Sequence, residues 1–180
     1  MKILFASAEA YPLAKGGGLG DVGGSLPKAL RALGHDVRIV LTKYGMLRDV
    51  KEDLGPFDVT IGGGPQPAAL RTSSIAGVPV YLIDKPDLYD RPKVYEYEDD
   101  GERFGFFCKA ILDLLPAAGF WPDVIHSNDW HSALAPAFLK TLYAGDPRYR
   151  RIKTVLTIHN LQHQGLFGPG KPLEGGVGDD

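Results

Sequence analysis

A glycine-rich stretch near the N-terminus has the composition of a binding site for an anion. It reads Lys15-Gly16-Gly17-Gly18-Leu19-Gly20-Asp21 and leads into a helix-length amphipathic segment. Backbone amides that no side chain shields form an anion-binding concavity, and the N-terminus of a following helix adds partial positive charge. Lys15 adds a mobile cation. The stretch therefore predicts a phosphate site, and a glycine-rich turn without a ligand is the alternative.

The same glycines raise a second hypothesis. Gly18, Gly20 and Gly23 satisfy the G-x-G-x-x-G pattern of dinucleotide-binding proteins, which would make the chain part of an NAD(P)-dependent oxidoreductase. That pattern normally begins directly after the first strand, whereas residues 8–15 intervene here, and Thr42-Lys43 stands where an acid is expected after the second strand. No Walker A string occurs either. Position therefore counts against a dinucleotide site.

Histidine and aspartate form a second group of candidate residues. His126, His131 and His159 fall at or just after predicted strand ends. The spacing contains no H-E-x-x-H, no cysteine pair and no dense carboxylate cluster, so no metal site is predicted. Hydrogen bonding to a polyhydroxylated ligand fits better, with Asp129 as an acceptor and Trp130 as an apolar wall for a sugar. A helix cap for Asp129 and a core position for Trp130 are the alternatives.

Composition limits the possible partners. The 180 residues include 20 basic and 22 acidic side chains, a formal charge of -2, so neither nucleic acid nor an anionic membrane is predicted as a partner. No hydrophobic run approaches the about 20 residues that cross a bilayer. The single Cys108 excludes an internal disulfide and fits a cytoplasmic location. Cys108 shares a predicted helical face with apolar residues, which suggests a buried thiol. Trp121, Trp130 and the eight tyrosines allow a third hypothesis, a non-catalytic glucan-binding module.

The elements that position these residues alternate between strands and helices. Strands are predicted at 3–7, 37–41, 57–61, 69–75, 78–83, 123–127 and 154–158. Helices are predicted up to residue 33, where Gly34 ends the first one, from a cap at Asp100 to 115, and over 132–143. The pattern predicts a Rossmann-like α/β fold, a mostly parallel sheet with helices on both faces and a hairpin excursion over 57–83. The tail, 168–180, is expected to be irregular.

In such a sheet the ligand site lies beyond the carboxyl ends of the strands. Polar residues follow the predicted strands at these ends, and they should meet at one rim: Ser7 and Glu9, Thr42 and Lys43, Asp84 and Lys85, residues 126–129, and His159 with Asn160.

Several motifs, in order along nearly the whole chain, resemble the bacterial glycogen synthases and plant starch synthases. They are the K-x-G-G-L-x-D-V signature that starts at Lys15, residues 81–84 with 88–92, Asp129-Trp130-His131 with 134–136, and 157–161 with Gln164-Gly165. The resemblance implies the N-terminal domain of a GT-B glycosyltransferase, residues 1–180. It also implies that this domain continues beyond position 180 and that a C-terminal nucleotide-binding domain, absent here, supplies the rest of the site.

The resemblance further implies a function in glycogen biosynthesis. Glucose would pass from ADP-glucose to the non-reducing end of an α-1,4-glucan with retention of configuration and without a cofactor, and the chain alone would turn over little or nothing. Gly16 and Gly20 stand where the family usually has Thr and Ala, which predicts a loop that is more flexible when empty. The implied catalytic residues are Lys15, Asp129 and His159, and the implied donor-binding residues are Lys15, Gly17, Gly18, Asp21 and His159.

Overall fold

A mixed β-sheet forms the centre of the computed structural model, which describes residues 1–48 and 50–167. Its strands are β1 (Lys2–Ala6), β2 (Asp36–Thr42), β3 (Asp53–Ile61), β4 (Gly64–Ile75), β5 (Val78–Asp84), β6 (Val124–Asn128) and β7 (Lys153–Thr157). Their order across the sheet is β3-β4-β5-β2-β1-β6-β7. The five strands from β5 to β7 are parallel, whereas β3 and β4 join β5 as antiparallel neighbours. The predicted mostly parallel α/β sheet is confirmed.

Helices cover both faces of the sheet. They are α1 (Gly18–Ala32), α2 (Pro86–Tyr89), α3 (Asp100–Ala118), α4 (Leu134–Thr141) and α5 (Pro147–Arg150), with a 3-10 turn at Trp130–Ser132. The connection through α1 runs from β1 to β2, and the connection through α3 runs in the opposite direction across the sheet, from β5 to β6. Because such crossovers are right-handed, opposite directions place the two helices on opposite faces. Helix α1 contacts β2 and β5, while α3 contacts β3, β4 and α4.

Local backbone chemistry explains where these elements end. Gly34, with a φ of +87°, follows α1 and donates to Arg31 O at 2.9 Å, while the next amide, of His35, donates to Leu30 O at 3.3 Å. This pair of bonds is the Schellman ending that the sequence predicts for Gly34. In the hairpin, Gly62 and Gly63 have φ values of +64° and +86°, so a two-residue turn joins β3 to β4.

Two helix predictions differ from the structure. Asp100 is the first residue of α3 and does not cap it, because its carboxylate accepts the amides of Glu96 and Tyr97 and pairs with the fully buried Arg103. The predicted helix over 132–143 is split into the 3-10 turn and α4. Here the Ser132 hydroxyl accepts the Asn128 amide at 2.7 Å and ties the first turn to the end of β6.

The core lies between the sheet and its helices. In β1, Leu4, Phe5 and Ala6 are fully buried, as expected for a parallel strand covered on both faces. None of the helices within the described ranges is long and apolar enough to cross a membrane. The tail predicted to be irregular lies outside the described residues.

Candidate functional site

The carboxyl ends of the parallel strands bring the predicted polar residues to one rim. Glu9 follows β1, Lys43 follows β2, Lys85 follows β5, Asp129 follows β6 and His159 follows β7. Since β1 lies between β2 and β6 in the sheet, the segments after β1 and β6 are neighbours. The rim therefore places the glycine-rich loop beside the aspartate and histidine group.

The carboxylate of Glu9 occupies part of the predicted anion site. Its Oε2 accepts the amide of Gly16 at 2.5 Å and that of Gly17 at 2.7 Å, and the residue is 1% exposed. The Gly17 amide, which the family resemblance assigns to a diphosphate, is thus donated to Glu9. The amides of Gly18 and Leu19, at the start of α1, have no hydrogen-bond partner within residues 1–48 and 50–167. They form the open part of the loop.

Lys15 and Asp21 lie together at the mouth of the loop. The Lys15 Nζ is 2.6 Å from Asp21 Oδ1, and the side chains are 44% and 61% exposed. The same ammonium lies 5.7 Å from the centre of the Tyr11 ring. An exposed ion pair of this kind contributes at most about 1 kcal/mol. Lys15 can therefore leave Asp21 for a stronger anion at little cost.

Close packing accounts for two of the three glycines in the dinucleotide-like pattern. A Cβ at Gly23 would lie 2.3 Å from the backbone oxygen of Glu9, and one at Gly20 would lie 3.0 Å from Glu9 Oε2. A Cβ at Gly18 would meet no heavy atom within 4 Å. Helix α1 therefore needs Gly23 to pack against the backbone after β1, while Gly20 lies against the side chains of Lys15 and Glu9. Neither glycine indicates a dinucleotide.

Asp129 holds the chain that follows β7. Its Oδ1 accepts the backbone amide of His159 at 2.7 Å, and its own amide donates to Thr157 O at 2.9 Å. The residue is 8% exposed and has a φ of +55°. It occupies the N-cap position of the 3-10 turn, but its side chain makes no capping bond there. The carboxylate thus links Asp129 to His159, another predicted site residue. The helix-cap alternative does not describe Asp129.

Asn128 belongs to the stretch 126–129 that the sequence places at the rim, but sequence reasoning gave it no role. It is fully buried, and its Nδ2 donates to Ala6 O at 3.0 Å and to His126 O at 3.1 Å. Its Oδ1 lies 2.9 Å from Nε2 of the exposed His159. A polar residue at the end of an apolar strand, next to Asp129, was the available signal. Only the fold shows that its side chain reaches across to the histidine.

His131 and Trp130 belong to an aromatic cluster. The His131 ring packs between Tyr95, Trp130 and Phe104, with centroid distances of 5.0, 4.1 and 4.7 Å. Burial, with a smaller effect of His163, lowers the pKa of His131 to about 3. Its imidazole is therefore neutral at ordinary pH.

Trp130 is largely covered by neighbouring groups. A Cβ at Gly165 would lie 2.5 Å from the indole, and Phe167 packs at 5.2 Å. Trp130 is half-buried and packs against the core, so it is not a fully open wall for a sugar. An open cavity of about 260 Å³ adjoins the indole and is lined also by residues 162–167.

The aromatic cluster also connects the two halves of the rim. Tyr95 stacks on His131, and a Cβ at Gly16 would lie 2.9 Å from Tyr95 Cε2. The Tyr95 ring thus lies against Gly16, where the resembling family usually has a larger residue. Because the Glu9 carboxylate and the Tyr95 ring both contact this part of the loop, two groups restrain it.

His126 supports the strand ends rather than the open rim. Its Nε2 lies 2.7 Å from Thr157 Oγ1, and its ring packs edge-on against Phe5. Burial, followed by the nearby His159, lowers the pKa of His126. Within the described ranges, no group of three or more His, Cys, Asp or Glu residues is arranged to hold a metal ion.

Comparison with known proteins shows the family. The model of the starch synthase catalytic domain matches residues 2–178. The chain belongs to the starch synthase catalytic domain family. The resemblance that the motifs carry is thereby confirmed.

The curated relatives of this starch synthase domain are glycogen synthases. It is 47% identical to the glycogen synthase of Desulforudis audaxviator, over 93% of this chain and 36% of that protein. It is 48% identical to that of Moorella thermoacetica, over 93% of this chain and 35% of that protein. The chain thus spans about a third of the length of these relatives.

Solved structures agree on the fold of the starch synthase domain. The catalytic domain of Starch Synthase IV from Arabidopsis thaliana, bound to ADP and acarbose, matches with a TM-score of 0.83 and 34% identity. The match covers 91% of this chain and 34% of that chain. A sucrose-phosphate synthase from Thermosynechococcus elongatus matches at 20% identity with a TM-score of 0.52, over 89% of this chain and 33% of that chain, and shows the fold alone.

Proposed function

We propose that the protein carrying this chain is a glycogen synthase. It transfers glucose from ADP-glucose to the non-reducing end of an α-1,4-glucan, with retention of configuration. The observation that carries the proposal is the family match over residues 2–178. It is joined to a strand order that puts the loop after β1 and His159 after β7 at the same carboxyl edge of the sheet. The ADP and acarbose in the plant starch synthase structure support a nucleotide-sugar donor and a glucan acceptor.

The loop would bind the diphosphate of the donor. Lys15 would exchange its exposed contact with Asp21 for the phosphates, and the amides of Gly18 and Leu19 would donate at the start of α1. Gly17 would support the site indirectly, since its amide donates to the Glu9 carboxylate and thereby fixes the loop. As the bond to the sugar breaks, negative charge develops on the leaving diphosphate. Preformed donors at that place stabilise the transition state.

His159 and Asp129 would position the transferred glucose. Asp129 accepts the backbone amide of His159, so the backbone that carries the imidazole is fixed at the rim. Correct orientation of reacting groups lowers a barrier without any covalent role for the protein. None of the residues discussed is proposed as a nucleophile.

The remaining partners stay predictions. The relatives are about three times as long, so we expect a further domain to supply the rest of the nucleotide site and the chain alone to bind ADP-glucose weakly. No nucleic acid or membrane is expected as a partner, and the cytoplasm remains the expected location.

The two other hypotheses have less support. The oxidoreductase hypothesis is weakened because close packing against the Glu9 backbone explains Gly23 without a dinucleotide, and Gly20 lies against the Glu9 side chain. The glucan-module hypothesis relied on Trp121 and Trp130, but Trp121 packs edge-on against Tyr149 with the Arg148 guanidinium 4.6 Å from its ring. Neither tryptophan therefore favours a simple carbohydrate platform.

Replacement of Lys15 tests the proposed function. In the longer protein that carries this chain, Lys15→Ala should reduce the transfer of labelled glucose from ADP-glucose to glycogen by about a hundredfold, because a donor to the leaving group is lost. Lys28→Ala is the matched control, since Lys28 is an exposed lysine on helix α1, which follows the loop. Equal rates for Lys15→Ala and the control would remove the loop from the reaction.

A further inference from the structure

The surroundings of Asn128 define the orientation of its side-chain amide. Nδ2 faces two carbonyl oxygens, of Ala6 at 3.0 Å and of His126 at 3.1 Å. Carbonyl oxygens only accept hydrogen bonds, so the NH2 group must be on this side. The opposite orientation would set the amide oxygen against two acceptors in a fully buried position, which is costly. The oxygen of Asn128 therefore faces His159.

This orientation determines where His159 carries its proton. The Oδ1 of Asn128 is 2.9 Å from His159 Nε2, and an amide oxygen can only accept. Nε2 must donate, so it bears the hydrogen. In a neutral imidazole the other nitrogen, Nδ1, then has a free lone pair. Nδ1 has no hydrogen-bond partner in the part of the chain that the structure describes.

We propose that Asn128 is a positioning residue that keeps the His159 proton on Nε2 and thereby makes Nδ1 a hydrogen-bond acceptor. An acceptor binds a hydroxyl group and is unsuited to a phosphate oxygen, which is itself an acceptor. His159 would then bind a hydroxyl of the donor sugar, and the phosphates would fall to Lys15 and the loop. This division of roles rests on the proposed function, whereas the proton position itself does not.

Two consecutive residues fix His159 from the same side. Asp129 accepts its backbone amide at 2.7 Å, and Asn128 accepts its ring N–H. Asn128 is itself secured to β1 through Ala6 O and to the 3-10 turn through Ser132. The ring orientation is thus set by the strand framework before any ligand arrives.

Nitrogen NMR of the 15N-histidine-labelled chain tests the proton position. At about pH 8.5, where an ordinary imidazole is neutral, correlation spectra should show His159 as the Nε2–H form with a slowly exchanging proton. His163 is the internal control, because its ring is exposed and makes no hydrogen bond to the described residues. A His159 that carries its proton on Nδ1, or that shows the same mixture as His163, would overturn the proposal.

Variants at position 128 separate the acceptor from mere packing. Asn128→Ala should move His159 to the His163-like mixture. Asn128→Asp should lower the stability, because its second oxygen faces the carbonyls of Ala6 and His126, but the folded variant should retain the Nε2–H form because a carboxylate oxygen still accepts. Retention of the pure Nε2–H form in Asn128→Ala would contradict a role for the amide. If either variant fails to fold, the spectrum of the unsubstituted chain still decides the proton position.

Kinetics of the longer protein test the link to the sugar. Asn128→Ala should lower kcat for glucose transfer by about tenfold, with little change in KM for ADP-glucose, because orientation is lost while phosphate binding remains. An unchanged kcat would show that the proton position does not matter for transfer. If the unsubstituted protein transfers no glucose, the proposed function fails while the NMR result on Asn128 stands.

Discussion

Glu9 occupies a place that the sequence assigns to a ligand. Its carboxylate takes the amides of Gly16 and Gly17, and only Gly18 and Leu19 remain for an anion. The composition of the loop predicts an anion site, and a carboxylate of the same chain occupies part of that site. Whether an amide faces a side chain or a ligand depends on how α1 packs on the segment after β1. Spacing along the chain does not contain that information.

His131 gives a prediction about acid stability at the scale of one residue. Its pKa is about 3 in the folded chain against an ordinary value of 6.5, mainly because the ring is buried. The unfolded chain therefore binds more protons at this residue. The contribution of His131 to stability is present above pH 6.5 and is lost as the pH falls towards 3. Between about pH 7.5 and pH 5 this one residue should remove about 2 kcal/mol from the free energy of unfolding.

The variant His131→Phe isolates that effect. Phenylalanine keeps an aromatic ring among Tyr95, Trp130 and Phe104, and it carries no titrating group. Urea unfolding at the two pH values should therefore show a smaller loss in the variant than in the unsubstituted chain. An equal loss in both would mean that His131 is protonated in the folded chain or is not buried.

At the scale of elements, the sequence predicted the features that depend on one continuous stretch of residues. Apolar runs gave the strands, and Gly34 gave the end of α1, because these features follow from a single stretch of residues. Asp100 was assigned wrongly as a cap because its partner, Arg103, is fully buried and needs a charge beside it. That need arises only when α3 packs against the loop before it.

Helix α1 offers a test of the packing explanation for its glycines. Gly23→Ala would place a Cβ 2.3 Å from the Glu9 backbone oxygen and should lower the free energy of unfolding by about 1–3 kcal/mol. Gly18→Ala, in the same helix, meets nothing within 4 Å and is the matched control. Urea unfolding of both variants measures the difference. Equal stability would mean that α1 does not pack on residue 9 as described.

At the scale of the whole molecule, the site is assembled from separate segments. The loop after β1, the Tyr95 ring, the end of β6 and the chain after β7 meet on one rim. The sequence predicted Lys15, Asp129 and His159 as site residues through motifs and strand ends, because parallel strands share a carboxyl edge. It missed Glu9 as the internal anion and Asn128 as the partner of His159. Both act through contacts with residues distant along the chain.

Transfer of labelled glucose with analysis of the linkage tests the central claim most directly. The longer protein that carries this chain is incubated with labelled ADP-glucose and glycogen, and the product is digested with β-amylase, which releases maltose from non-reducing α-1,4 ends. We expect the label in maltose, and little incorporation by the 180-residue chain alone. A glycogen product without label, or label that β-amylase does not release, would contradict retaining transfer to the non-reducing end.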